Sequence, residues 1–222
     1  MSAVAAYATV FPAYFAGSSR RPDCHQRRSP SQSRLWRSCS EAIPAARSAD
    51  WLAGVLDLQL LSPVPDLEAR VELFAEALGI AISWHDRIDP TEAMLLAKVF
   101  ADSELVYEIP ATDPIAQPTR AMREFGSVGI YSLSESAAQT AGRWIKDEWP
   151  GARVRLSHVH ENGPELEGLI RTSDVLLMQT SHAKHAATTA IERSADPSRL
   201  VRVNGRGATA LFRGLVEWTT AD

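Results

Sequence analysis

From about residue 120 onward the chain repeats one pattern four times: a short apolar run, a polar loop, then a segment with helical spacing. SVGIYSL leads into ESAAQTAGRWIKDEW, ARVRLSHVH into PELEGLIRTS, DVLLMQT into AKHAATTAIERS, and LVRVN into ATALFRGLVEWTT. Pro150 and Gly151 close the first helical segment, Pro164 opens the second, and DPS closes the third. A strand that must pass through a helix before the next strand cannot pair with it as a hairpin, so the sheet is expected to be parallel and covered on both faces. The expected fold class is α/β, a Rossmann-like three-layer sandwich over residues 120–222 with a mainly parallel sheet of four or more strands.

Residues 50–112 read as a smaller, mostly helical region with two short strands. WLAGVLDLQLL is a short helix, and Leu67, Val71, Phe74 and Leu78 mark a second, with Gly79 as its stop. IAISW (80–84) is expected as a strand, and Asp89 and Pro90 have the residue types of an N-cap and a first helical position. ELVYEIP is the second expected strand, and ATDPIAQPT, with two prolines, a linker. Residues 1–49 form an arginine- and serine-rich arm, in which SSRRPDCHQRRSPSQSRLWRSCS has too little aliphatic content to offset the entropy of ordering and reads as disordered. The apolar opening is broken by Pro12, and its basic residues Arg20 and Arg21 follow it. That is the reverse of a secretory signal, while the Ser/Arg character leaves an organelle transit peptide as an alternative.

Charge is divided unevenly. Residues 1–49 hold seven arginines against Asp23 and Glu41, a net of +5, so residues 50–222 carry −9 of the total −4. An acidic body argues against direct nucleic-acid binding by the folded part, which would need a basic face for phosphates. No apolar run reaches the roughly 18 residues of a membrane span. The two cysteines, Cys24 and Cys39, form neither a disulfide framework nor a zinc pattern, and a cytoplasmic location follows as the expectation.

Ligands of open parallel sheets bind outside the carboxyl ends of the strands, so chemistry is sought in four loops. In VNGRGATALF, Asn204, Gly205, Arg206, Gly207 and Thr209 lead from strand to helix. Glycines permit a tight turn, the helix start offers free N–H groups to an anion, and Arg206 offers a bidentate guanidinium. The alternative is an ordinary βα turn with a solvent-facing arginine. In TSHAKHAAT, Thr180 or Ser181 suits an N-cap, while Lys184 and His185 place cations in a first helical turn, where the dipole disfavours them unless an anion is bound. Ser132 and Glu135 form an S-x-x-E capping box, and Ser134 lies in the first loop of the first unit, where nucleotide folds make contact. His158 and His160 continue a strand face, and with His182 and His185 they raise a histidine metal site, against which stands the simpler reading of histidines emerging into solvent. No metal ligand is assigned. No nucleophile stands beside a base, and Trp144, Trp149 and Trp218 read as packing residues.

IYSLSESAA, AKHAAT and the strand–GRG–helix ending together resemble the C-terminal Rossmann-like module of large bacterial genome-defence and 7-deazaguanine DNA-modification island proteins, over about residues 120–218. The resemblance implies a ligand-sensing or accessory role with protein partners in a larger complex, and assigns no catalytic residue or cofactor. The expected function is a non-catalytic binding or sensing module for a phosphate-bearing, nucleotide-like small molecule. Its contacts would be Ser132, Ser134, Thr180, Ser181, Lys184, His185, Asn204, Gly205, Arg206, Gly207 and Thr209. The alternatives are a nucleotide hydrolase or glycosidase using His185 as acid/base, and a structural interaction module.

Overall fold

The computed structural model describes residues 48–61, 67–103, 123–179 and 185–221. The expectations for the arm, for the strand ELVYEIP and for the proline-containing linker lie outside the described residues. Among the described residues three α-helices come first: α1 (Ser48–Leu61), α2 (Leu67–Ser83) and α3 (Pro90–Asp102). The repeating half follows as β1 (Ser127–Tyr131), α4 (Glu135–Glu148), β2 (Arg153–Ser157), α5 (Pro164–Thr172), β3 (Val175–Gln179), α6 (His185–Ser194), β4 (Leu200–Val203) and α7 (Gly207–Thr220).

All four strands are parallel, in the order β2-β1-β3-β4. β1 and β3 are central, and every residue of both is buried, as expected of strands covered on two faces. On one face α5 and α6 enclose a core of Tyr131, Leu166, Leu169, Leu176, Met178, Ala187 and Ile191. On the other face lie α4 and α7. Gly142 of α4 lets that helix close on Val154 and Leu156, and Gly214 of α7 does the same against Val201 and Val203. The Rossmann-like three-layer sandwich is therefore present.

The helical region adds a further layer over α4 and α7. α1 and α3 pack on each other and on α7, burying Leu52, Leu56, Leu95, Leu96, Val99 and Phe100. Polar contacts fasten the join: Asp102 accepts two hydrogen bonds from the Arg143 guanidinium (2.7 and 2.8 Å) and one from the Trp144 indole N–H (3.1 Å). Lys98 pairs with Glu148 at 3.2 Å, and Arg213 with Asp50. Residues 48–222 form a single compact unit.

Local chemistry accounts for most element ends. The Asp89 side chain accepts from the N–H groups of Thr91 (2.8 Å) and Glu92 (2.9 Å), and Glu92 reaches back to the Asp89 N–H (3.3 Å), a capping box with Pro90 inside it. Two segments depart from expectation. The expected strand at 80–84 is instead the end of α2, which runs through Gly79 to Ser83. Phe74, Ala77 and Ala81 continue a buried stripe at helical spacing, and this packing outweighs the roughly 1 kcal/mol that an interior glycine costs. β2 stops at Ser157 rather than His160. Its neighbour β1 ends at Tyr131, and the bond from Ser132 N–H to the Ser157 carbonyl (3.2 Å) is the last rung.

Candidate functional site

With strand order 2-1-3-4, the chain turns to one side after β1 and to the other after β3. α4 and α6 accordingly lie on opposite faces, so the switch point of the sheet, where open α/β sheets take their ligands, falls between the carboxyl ends of β1 and β3. At that switch point lies a buried polar network centred on Gln179, the last residue of β3. Its amide oxygen accepts from the Ser132 hydroxyl at 2.6 Å, and its amide nitrogen donates to the carbonyls of Gly205 (3.0 Å) and Gly207 (3.2 Å). A buried amide must satisfy both ends. Gln179 does so by tying together the tips of β1, β3 and β4.

Ser132 is fully buried. Its oxygen also accepts from the Ser134 N–H at 3.0 Å, so it shapes the loop from below and does not cap the helix. The N-cap of α4 is Ser134, whose hydroxyl accepts from the Ala137 N–H at 3.4 Å, with Glu135 as the first helical residue. The expected S-x-x-E box is therefore not formed: the cap moves two residues on to Ser134, three residues ahead of Ala137 rather than a glutamate, because Ser132 is drawn inward by Gln179. Ser134 is half-buried, in the loop after β1. Thr180, Ser181 and Lys184 lie outside the described residues, and His185 opens α6 with its side chain undescribed.

The Gly205–Thr209 turn has an occupant. The Asp57 carboxylate, from α1, enters the start of α7. One oxygen accepts from both the N–H (2.7 Å) and the hydroxyl (2.9 Å) of Thr209, and the Ala208 N–H contributes as well. Gly207 sits at φ +85°, and a Cβ there would overlap that carboxylate. Both facts require glycine. The helix start thus holds an anion supplied by the chain itself. Burial pushes the Asp57 carboxyl up to about 6 against the downward pull of the Thr209 and Ala208 hydrogen bonds. Asn204 and Arg206 are exposed at the rim; Arg206 occupies the N-cap position but its side chain caps nothing.

Of the four histidines raised for a metal site, His182 lies outside the described residues and the side chain of His185 is undescribed. The Nδ1 of His158 lies 2.6 Å from the Ser132 carbonyl; a carbonyl only accepts, so Nδ1 carries the proton. His160 is exposed past the end of β2. Among the described residues no group of three or more His, Cys, Asp or Glu side chains is placed to hold a metal ion. Open hollows mark the surface of the described residues at two places. One runs along α6, lined by Asn162, Ala186, Thr189, Ala190, Arg193 and Ser194, with its upper end beside the start of that helix. The other lies at the opposite, amino-terminal edge of the sheet, where Arg123, Gly126, Asp174, Arg199 and Trp218 meet. Its polar groups are internally engaged: Asp174 accepts from the Gly126 N–H and the Ser127 hydroxyl, and the Trp218 N–H donates to the Ser198 carbonyl. Trp144, Trp149 and Trp218 pack against Phe212 and Phe125.

Sequence reasoning missed Asp57 and Gln179, although both left a trace: Asp57 is a lone acid in the apolar run LAGVLDLQLL, and Gln179 a lone amide ending VLLMQ. Comparison with known proteins yields a match to the DpdD-like family model over residues 34–214. Neither curated proteins nor solved structures give a significant match. The matched span takes in α1 to α3 as well as the sheet, so Asp57 and the turn it enters fall within one family unit. The chain belongs to the DpdD-like family, a protein family of 7-deazaguanine DNA-modification islands.

Proposed function

We propose that this chain serves a DNA-modification and defence system as an accessory module that binds a phosphate-bearing, nucleotide-like small molecule without transforming it. The ligand sits at the switch point. Ser134 meets it on the β1 side, and Thr180, Ser181, Lys184 and His185 meet it on the β3 side. One observation supports this reading: the order β2-β1-β3-β4 puts the switch point of the sheet between β1 and β3, the strands that these residues follow in sequence. Ser132 and Gln179 brace the strand tips there. The Gly205–Thr209 turn is left out of the contact set, since a phosphate on those amides would have to displace the Asp57 carboxylate.

Calorimetric titration of the full chain with ATP, GTP and inorganic phosphate tests this. Binding is expected for at least one nucleotide, weakened about tenfold or more by Lys184→Ala, as loss of one charge-assisted contact of ~1.5–3 kcal/mol implies. Arg206→Ala should leave it within about twofold. Absence of binding by any phosphate ligand at millimolar concentration overturns the reading. Nucleotide turnover abolished by His185→Ala would replace it with the hydrolase alternative. One observation favours a second reading, a structural interaction module: the strand-tip turn richest in glycine is already filled from within by Asp57.

A further inference from the structure

We infer that Asp57 is a proton-operated clasp fastening the helical layer of residues 48–103 to the amino end of α7. The inference does not rest on the ligand reading above.

The geometry is that of a latch. A single carboxylate, 1% exposed, crosses from α1 to the first turn of α7, spanning 152 positions in sequence to bond Thr209 through both its N–H and its hydroxyl. Gly207 leaves the space that the carboxylate fills, and its left-handed φ aims the following amides at it. All of these donors are neutral. The charged groups of the surrounding elements are engaged elsewhere: Asp50 of α1 with Arg213 of α7, Lys98 of α3 with Glu148 of α4, and Asp102 of α3 with Arg143 and Trp144 of α4. Arg70 of α2 donates to the Gln59 carbonyl. Among the described residues no cation pairs with Asp57, and the nearby Asp102 charge adds to the upward push on its proton affinity.

An ionised carboxylate in that position forgoes hydration and receives only dipoles and neutral hydrogen bonds in return. The folded-state value, raised from 3.8 to about 6, means that the folded protein holds a proton the unfolded chain has released between those limits. The stabilising contribution is fully present below pH 3.8 and is lost as pH rises through about 6. Acidification therefore tightens the join between the layers, and neutral pH holds it loaded. Because Gln179 grips the Gly207 carbonyl from the other side of the same turn, loosening the clasp also frees the brace beneath the strand tips.

The test compares the full chain with Asp57→Asn, which keeps the shape and removes the titration. Chemical denaturation at pH 5.0 and 7.5 yields a folding equilibrium constant for each. The wild-type constant is expected to fall by on the order of 10-fold more than that of the variant between the two pH values, the factor implied by the roughly one pH unit between pH 5.0 and a folded-state midpoint of about 6. The amide of Thr209, after correction for intrinsic exchange, should open faster as pH rises through 6 in the wild type and not in the variant. Carbon NMR titration of the Asp57 carboxyl needs no variant, and a midpoint near 6 is expected. Parallel pH profiles for the two proteins overturn the clasp, as does a carboxyl midpoint at or below 3.8. Failure of nucleotide binding leaves it untouched.

Discussion

Gly207→Ala asks the most of the interface between the helical layer and the sheet, because two separate costs meet at one atom. The first is conformational: at φ +85° an L-residue is disfavoured by ~1–2 kcal/mol. The second is steric: the new methyl overlaps the Asp57 carboxylate and forces it off Thr209. Hydrogen bonds involving a charged group contribute about 1.5–3 kcal/mol each, and partial loss of the two Thr209 bonds brings the expected total to roughly 3–5 kcal/mol. For a unit of this size each kcal/mol moves the melting temperature by about 2–4 °C, so a fall of about 10 °C is expected in thermal denaturation followed by circular dichroism. The decisive measurement is a double-mutant cycle with Asp57→Ala. With the carboxylate gone only the conformational cost remains, and Gly207→Ala should then cost ~1–2 kcal/mol, a coupling of about 2–3 kcal/mol between the two positions. Equal costs in the two backgrounds would refute the steric link and with it the account of why glycine stands at 207.

Two further outcomes follow from the packing. The Tyr131 hydroxyl is fully buried and has no hydrogen-bond partner among the described residues, and burial raises its pKa. Tyr131→Phe is therefore expected to stabilise the fold by about 1 kcal/mol, the desolvation cost of an orphaned hydroxyl, and a comparable loss in melting experiments would show that the hydroxyl has a partner or role. Expression of residues 120–222 alone would strip α1 and α3 from α7 and remove Asp57 from Thr209; the fragment is expected to lose its cooperative melt and bind a hydrophobic dye, and a sharp native-like transition would contradict an integral helical layer.

The features legible in the sequence are those set by local spacing. Strand runs such as VLLMQ and helix starts such as Asp89-Pro90 carry their own chemistry within a few residues, and the structure shows them there. IAISW misleads because Ile-rich segments suit a strand as readily as a buried helix. Only Phe74 and Ala77, in the preceding turns, extend the stripe that decides for the helix. The Ser132/Ser134 exchange has the same origin at longer range: two serines compete for one cap, and Gln179, 47 positions away, settles it by taking Ser132. The glycine turn was legible as an anion site, but not the source of the anion. Asp57 reaches it across 152 residues, a distance over which no periodicity or motif extends.

The contact between Trp144 and Asp102 has a practical corollary. The indole is 2% exposed, faces Phe212 across the interior, and owes its N–H partner to a carboxylate at the far end of α3. Undocking of that end would strip the ring of both its acceptor and its shelter from water while the sheet stayed whole. Emission from this position consequently gauges how far the outer helices have lifted, a built-in optical reporter that needs no dye.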